Sequence, residues 1–226
     1  MNDDMKQALL DAALMHVPFD GWSETTFKAA VEDSAVDPVV AKALFPRGAV
    51  DLAIAYHKRG DAQMMDRLEA ATLDGMRFRE KVIFAVRARI EAVDDREAVR
   101  RGTTLFALPL YAADGAKLIW GTSDAIWNAL GDTSRDFNYY TKRATLSAVY
   151  SSTVLYWLGD DSLDNQATWD FLDRRIEDVM RFEGAKAAAA RNPLVSKLMA
   201  GPGRILSSIK APSATRRGDL PGGGGI

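Results

Sequence analysis

Phe137-Asn138-Tyr139-Tyr140-Thr141-Lys142-Arg143-Ala144-Thr145-Leu146-Ser147-Ala148-Val149-Tyr150-Ser151-Ser152-Thr153-Val154-Leu155-Tyr156-Trp157-Leu158 is the stretch that decides the fold. At helical spacing Phe137, Tyr140, Ala144 and Ala148 share one face, while Tyr139, Leu146, Tyr150 and Trp157 occupy others. A helix that is apolar on most sides is a buried one. The expected architecture is therefore all-α, packed around 137–158.

The flanks agree. Towards the C-terminus, 164–183 is amphipathic, with Trp169, Leu172, Ile176 and Val179 as its stripe. Asp170/Arg174, Arg174/Asp178 and Glu177/Arg181 form i,i+4 pairs on its wet side. Upstream, Asp132–Asp136 is a loop, and a helix over 112–130 stops at Gly131. Further helices are expected over 50–73, 77–92 and 96–107, the last ending before Pro109. The run Leu105–Tyr111 reads equally as a strand, but one with no partner. Near the N-terminus a helix over 3–16 carries Met5, Leu9, Ala12 and His16 on one stripe. Phe19–Trp22 is a turn, and Ser23 caps a helix over 24–33. Asp37-Pro38 supplies an N-cap and a proline at N1 for a short helix to Leu44, broken by Phe45–Gly48.

The 226 residues contain no Cys and two His, His16 and His57. That excludes disulfides, thiolate metal sites and a Cys nucleophile, and leaves no histidine cluster for a metal. His16 reads as a core residue and His57 as an exposed one. The acid pairs Asp94-Asp95 and Asp160-Asp161 fall at helix ends, where carboxylates cap. Neither H-E-x-x-H nor a Gly-rich phosphate loop is present. The expectation is a non-enzyme without cofactor or metal. No stretch is apolar enough to span a bilayer, and the N-terminus lacks the features of a signal peptide, so the expected location is cytoplasmic.

The net charge of −2 hides an asymmetry. Residues 1–40 carry eight acids and two bases, whereas 185–217 carry seven bases and no acid. An acidic head repels nucleic acid and a basic tail seeks an anionic surface. In that tail Leu194, Leu198, Ile205 and Ile209 share a face, widened by Val195, Met199 and Leu206. Lys197, Arg204 and Lys210 lie off its centre. Either half is too short to be stable as a free helix, so an apolar surface must complete it: the protein's own body, a partner chain or a lipid layer. The closing Leu220–Ile226 run cannot fold alone.

Two resemblances carry the functional reading. Gly21-Trp22-Ser23-Glu24-Thr25-Thr26, with Ala29-Ala30, Ala35-Val36-Asp37 and Leu44-Phe45-Pro46, is similar to the helix-turn-helix of TetR-type regulators. That implies DNA binding, but the second helix of the motif, 38–44, offers Lys42 as its one cation. A head without DNA function is favoured, and a TetR-type transcriptional regulator is the alternative.

Gly131-Asp132-Thr133-Ser134-Arg135-Asp136-Phe137-Asn138-Tyr139-Tyr140-Thr141-Lys142-Arg143-Ala144-Thr145-Leu146 resembles the hallmark G-D-x-S-x-D-F-N-W-Y-T-R-R-A-x-L of the ubiquinone-biosynthesis lipid-binding family, the ninth Coq protein. Thr168–Ile176 is similar to that family's T-W-x-F-L-x-x-R-[IV] run. Tyr139 stands where the family has Trp, and Lys142 where it has the first Arg of its pair. The resemblance implies a TetR-like fold that binds isoprenoid lipids, lies peripherally on the inner membrane and serves the demethoxyubiquinone hydroxylase. It implies a partner patch at Asp136, Asn138, Tyr139, Tyr140, Lys142 and Arg143, although the spacing of Phe137 and Tyr140 favours core positions for those two. It also tips the tail towards membrane attachment.

Four segments are thus expected: a helix-turn-helix-like head over 1–48, a helical lipid-binding domain over 49–183, a basic amphipathic tail helix over 184–212 and a disordered end over 213–226. The densest apolar cluster, Leu105, Phe106, Leu108, Leu118, Ile119 and Trp120, is interrupted by Pro109 and is the expected cavity lining. A homodimer through 137–158 and 164–183 is the expected assembly.

Overall fold

The computed structural model describes residues 2–190, 210 and 211. Among them the secondary structure is helical: α1 (Asn2–Asp20), α2 (Glu24–Ser34), α3 (Pro38–Leu44), α4 (Ala49–Ala70), α5 (Phe78–Glu91), α6 (Arg96–Ala107), α7 (Ala112–Ala129), α8 (Phe137–Leu158) and α9 (Gln166–Ala190), with a 3₁₀ turn at Leu163–Asn165. The all-α expectation holds, and Leu105–Tyr111 is the end of α6 followed by a turn. No helix among the described residues is long and apolar enough to cross a membrane.

Two compact units make up the chain: Met1–Arg67 with Arg89–Leu118, and Leu68–Ala88 with Ile119–Ile226. Helices α4, α5 and α7 each contribute residues to both units, so the chain does not divide at residue 48. Nor is there a break at 183, because α9 runs on to Ala190. The expected tail residues Leu194, Val195, Lys197, Leu198, Met199, Arg204, Ile205, Leu206 and Ile209 lie outside the described residues, as does 213–226.

In the first unit, α1 packs on α2, α3 and α6. Leu9, Leu10, Ala13 and Val17 of α1 bury against Phe27 and Ala30 of α2, Ala41 of α3 and Leu52 and Tyr56 of α4. Each fully buried aliphatic side chain contributes about 1.5–3 kcal/mol. Local chemistry sets the turns. Ser23 Oγ accepts from Thr26 N, and Asp37 accepts from Val39 N and Val40 N. Pro18 lies inside α1, which continues past it until Gly21 adopts φ 66° and donates to Val17 O. Trp22 locks this corner by donating from Nε1 to Ala98 O at 3.0 Å.

Both histidine expectations are reversed. His16 sits at the half-exposed edge of α1, 2.7 Å from Asp33 of α2. His57 is mostly buried, its Nε2 3.6 Å from Asp61 Oδ2. Burial lowers its pKa to about 4, partly opposed by Asp61 and reinforced by Arg89.

In the second unit α8 packs on α9. Tyr139, Leu146, Val149, Tyr150 and Trp157 of α8 are buried, as are Trp169, Leu172 and Ile176 of α9. Asp160 caps the start of α9 as expected, accepting from Ser162 N and Thr168 N. Of the three expected pairs along α9, Glu177–Arg181 forms at 2.6 Å, whereas Asp178 pairs with Arg175 at 2.7 Å in place of Arg174 and Asp170 accepts from Gln166.

Candidate functional site

The site begins where α7 stops. Gly131 adopts φ 79°, its N–H donates to Asn128 O, and Asp132 N–H donates to Trp127 O. This is a Schellman ending, which needs a left-handed residue at the glycine position. The reversal brings Asp132 against α8. There it accepts from Lys142 Nζ at 2.8 Å, from Arg143 Nη1 at 3.0 Å and from Ser134 Oγ at 2.8 Å. Asp136 then caps α8 by accepting from Asn138 N at 3.0 Å. Glycine, aspartate, serine and aspartate at 131, 132, 134 and 136 thus form a clamp that ends one helix and starts the next.

The clamp closes on a buried charge network. The Arg143 side chain is 1 % exposed and that of Asp132 3 %. Arg143 Nε donates to Asp124 Oδ1, which also accepts from Tyr139 OH at 3.2 Å. Its guanidinium carbon lies 3.6 Å from the Tyr139 ring centroid. Burial pushes the Asp132 carboxyl up, but hydrogen bonds from Lys142, Ser134 and Arg143 outweigh it and hold the group well below the usual carboxylate range. Such a network is stable only while every charge keeps its partner.

This corrects the expected partner patch. Tyr139 is 3 % exposed and packs with Trp120, and Arg143 is buried, so neither is presented at the surface. Tyr139 is inside because its hydroxyl has a buried carboxylate to bond, which sequence spacing cannot show. Asp136 and Asn138 are exposed, and Tyr140 and Lys142 are half-buried. Tyr140 OH donates to Lys210 O at 3.2 Å, and Ala211 N donates to Arg135 O at 3.0 Å.

Beside the network lies a partly open apolar groove of about 190 Å³. From α5 come Phe78, Arg79 and Val82; from α7, Trp127. From α8 come Asn138, Thr141 and Lys142, followed by Thr145, Leu146 and Val149. Its α9 wall is Ile176, Val179 and Met180. Phe78 and Trp127 stack with centroids 5.5 Å apart, and Lys142 Nζ is 5.1 Å from the Trp127 centroid.

None of the six expected cavity residues lines this groove. Leu105 and Phe106 pack on the core of the first unit, Leu108 is 50 % exposed, and Leu118 is buried. Ile119 is half-buried and Trp120 packs on Tyr139 and Tyr140. The dense cluster marks a close helix corner: a Cβ on Gly115 of α7 would meet Phe106 Cβ of α6 at 2.8 Å. The groove itself was signalled by the second apolar face of 137–158 and by the Ile176/Val179 stripe. No group of acids or histidines suited to a metal occurs among the described residues.

Helix α3 presents Val39 at 78 % exposure, and the ammonium of Lys42 lies 5.8 Å from the Phe27 ring centroid. Reading DNA requires cations and polar groups aimed at phosphates and base edges, and α3 offers aliphatic surface in their place.

The COQ9 family model matches residues 112–183. The Drosophila melanogaster protein named ubiquinone biosynthesis protein COQ9, mitochondrial, is 31% identical over 194 residues, covering 80% of this chain and 59% of its own length. The Dictyostelium discoideum protein named probable ubiquinone biosynthesis protein coq9, mitochondrial, is 30% identical over 190 residues, covering 79% of this chain and 60% of its own length. The human COQ9 is 26% identical over 194 residues, 79% of this chain and 58% of its own. The chain therefore spans about three fifths of the length of these relatives. Among solved structures, a TetR transcriptional regulator from Nitrosomonas europaea aligns with a TM-score of 0.64 at 19% identity, covering 77% of this chain and 97% of that one. That likeness establishes the TetR-like fold alone. The family match takes in all of α7 and α8, the clamp between them and the α9 wall of the groove, so the part of the chain that builds most of the site is similar to the COQ9 family.

Proposed function

We propose that this chain is a non-catalytic accessory protein of ubiquinone biosynthesis that holds the isoprenoid part of a quinone precursor and presents it to the demethoxyubiquinone hydroxylase at a membrane surface. The observation that carries this reading is the apolar groove whose α8 and α9 walls, with Leu146, Val149, Ile176 and Val179, lie in the family-matched region. Ligand sites are concave and mostly apolar with a few polar groups. Sites for drug-sized ligands run to about 300–1,000 Å³. At about 190 Å³ this groove suits one end of a long lipid, not the whole chain.

Membrane attachment is assigned to the basic stretch 185–217, with seven bases and no acid. Bases near an anionic leaflet contribute roughly 1 kcal/mol each, which supports reversible, peripheral binding. The hydroxylase would meet the exposed Asp136 and Asn138 and the half-buried Tyr140 and Lys142. A homodimer would use the outer faces of α8 and α9, where Leu155 is 60 % exposed and Tyr156 stacks on Phe171 at 4.5 Å. The testing experiment is mass spectrometry of lipids extracted from the purified full chain. Recovery of isoprenoid quinone precursors supports the proposal; a protein purified free of lipid and binding none added to it refutes it.

A further inference from the structure

The groove is chemically uneven along its length, and that unevenness specifies more than a hydrocarbon. Its α8 wall is polar over the first two turns, through Asn138, Thr141, Lys142 and Thr145, and becomes aliphatic at Leu146 and Val149. From residue 138 to residue 149 is about 16 Å of helix at 1.5 Å per residue. A plain isoprenoid has no use for the polar stretch. An amphipathic ligand lying along α8 would meet both.

Three features of the polar end fix the chemistry of the head. Lys142 Nζ donates to Asp132 Oδ1 at 2.8 Å and to Ser134 Oγ at 2.7 Å. An ammonium has three donors, so these two acceptors among the described residues leave one donor for a ligand, on a side chain that is 38 % exposed and lines the groove. The two protein bonds hold the ammonium in place, so little freedom is lost when it donates again. Phe78 adds a flat apolar face: it is 47 % exposed while stacked on Trp127. Aromatic faces favour offset stacking on other flat rings. The Trp127 ring is itself fixed, donating from Nε1 to Lys142 O at 3.1 Å.

We infer that the groove discriminates for a flat, oxygen-bearing ring on the hydrocarbon, with Lys142 donating to a ring oxygen and Phe78 stacking on the ring. This rests on the lipid-holding function proposed above and adds to it an orientation: head at the start of α8, tail between α8 and α9. It also gives a role to the lysine that stands where the family pattern has arginine. A single ammonium with two bonds to the clamp aims its last donor at one acceptor, which a planar fork does not do.

The experiment is calorimetric titration of the full chain with two probes, a benzoquinone carrying a ten-carbon tail and the ten-carbon alcohol without the ring. A charge-assisted hydrogen bond is worth about 1.5–3 kcal/mol, so the quinone should bind about tenfold or more tighter than the alcohol. Lys142→Met should bring the two affinities to within about threefold by weakening only the quinone. Phe78→Leu, a change at a half-exposed residue, should weaken the quinone in the same selective way. If both variants keep the wild-type ratio, or if wild type shows no preference, the inference is overturned while the groove remains a lipid site. If wild type binds neither probe, the lipid-holding function falls and the inference with it. Thermal melts of both variants separate loss of preference from loss of fold, and Phe78→Leu decides the matter if Lys142→Met does not fold.

Discussion

The Tyr139 hydroxyl donates to Asp124 Oδ1 at 3.2 Å, on the same oxygen that takes the Arg143 Nε–H. One aromatic residue of the family block is therefore a strut of the interior. Tyr139→Asp would bury a second carboxylate beside Asp124 and remove a ring packed on Trp120. The expected loss is about 3 kcal/mol or more, read as a lower urea midpoint. An unchanged midpoint would return Tyr139 to the surface.

Asp132 and Arg143 should make stability depend on acid. The Asp132 carboxyl is held below its unfolded pKa, so its contribution is present above about pH 4 and is lost as pH falls below that value. Arg143→Met leaves Asp124 and Asp132 without their guanidinium and should cost about 3–5 kcal/mol at pH 7. The deficit should shrink as pH falls below about 4, where the contribution of the Asp132 carboxylate to the wild-type chain is itself lost. Denaturant unfolding of both proteins between pH 3 and 7 measures it, and a pH-independent deficit would contradict this account.

These two residues also show what the sequence made legible. The helices over 96–107 and 137–158, the caps at Ser23, Asp37, Asp95 and Asp160, and the stop at Gly131 all follow from local chemistry and were readable. The resemblance to the family hallmark singled out the 131–146 block. The sequence could not show that Tyr139 and Arg143 turn inward, because that depends on Asp124, which lies on α7 and is brought to them by the Schellman reversal at Gly131. The groove was not legible for a related reason. Apolar density at 105–120 reflects helices meeting at a corner, whereas the groove walls come from four helices, α5, α7, α8 and α9, whose faces converge only in three dimensions.

Gly60 allows a buried arginine to approach α4. A Cβ there would meet Arg89 Nη1 at 2.5 Å, and Arg89 is held by Asp61 at 2.6 Å and by His57 O at 3.0 Å. In an open helix Gly→Ala stabilises by about 1 kcal/mol. Here the pinned guanidinium should reverse the sign, to a loss of about 1–3 kcal/mol from overpacking. A thermal melt of Gly60→Ala that rises would refute the contact.

His57 should add a second pH dependence at milder acidity. Its pKa is lowered to about 4 in the folded chain, against about 6.5 unfolded. Between those values the unfolded chain takes up the proton, so stability falls as pH falls, by up to about 1.4 kcal/mol per pH unit. His57→Gln should flatten the stability profile from pH 6.5 to 4, and an unaltered slope would mean that His57 titrates normally.

The central claim is that the groove between α8 and α9, not the apolar run near Pro109, holds the lipid. Val179 lines the groove and is half-buried, so Val179→Trp should fill it without unfolding the chain. Leu110 is 78 % exposed and lies in the other segment. The decisive measurement is the molar ratio of isoprenoid lipid to protein in Val179→Trp and Leu110→Trp, purified side by side with wild type. The account predicts a ratio reduced about tenfold or more in Val179→Trp, the equivalent of roughly 1.4 kcal/mol, and unchanged in Leu110→Trp. Full lipid content in a folded Val179→Trp, or its loss in Leu110→Trp alone, would contradict it.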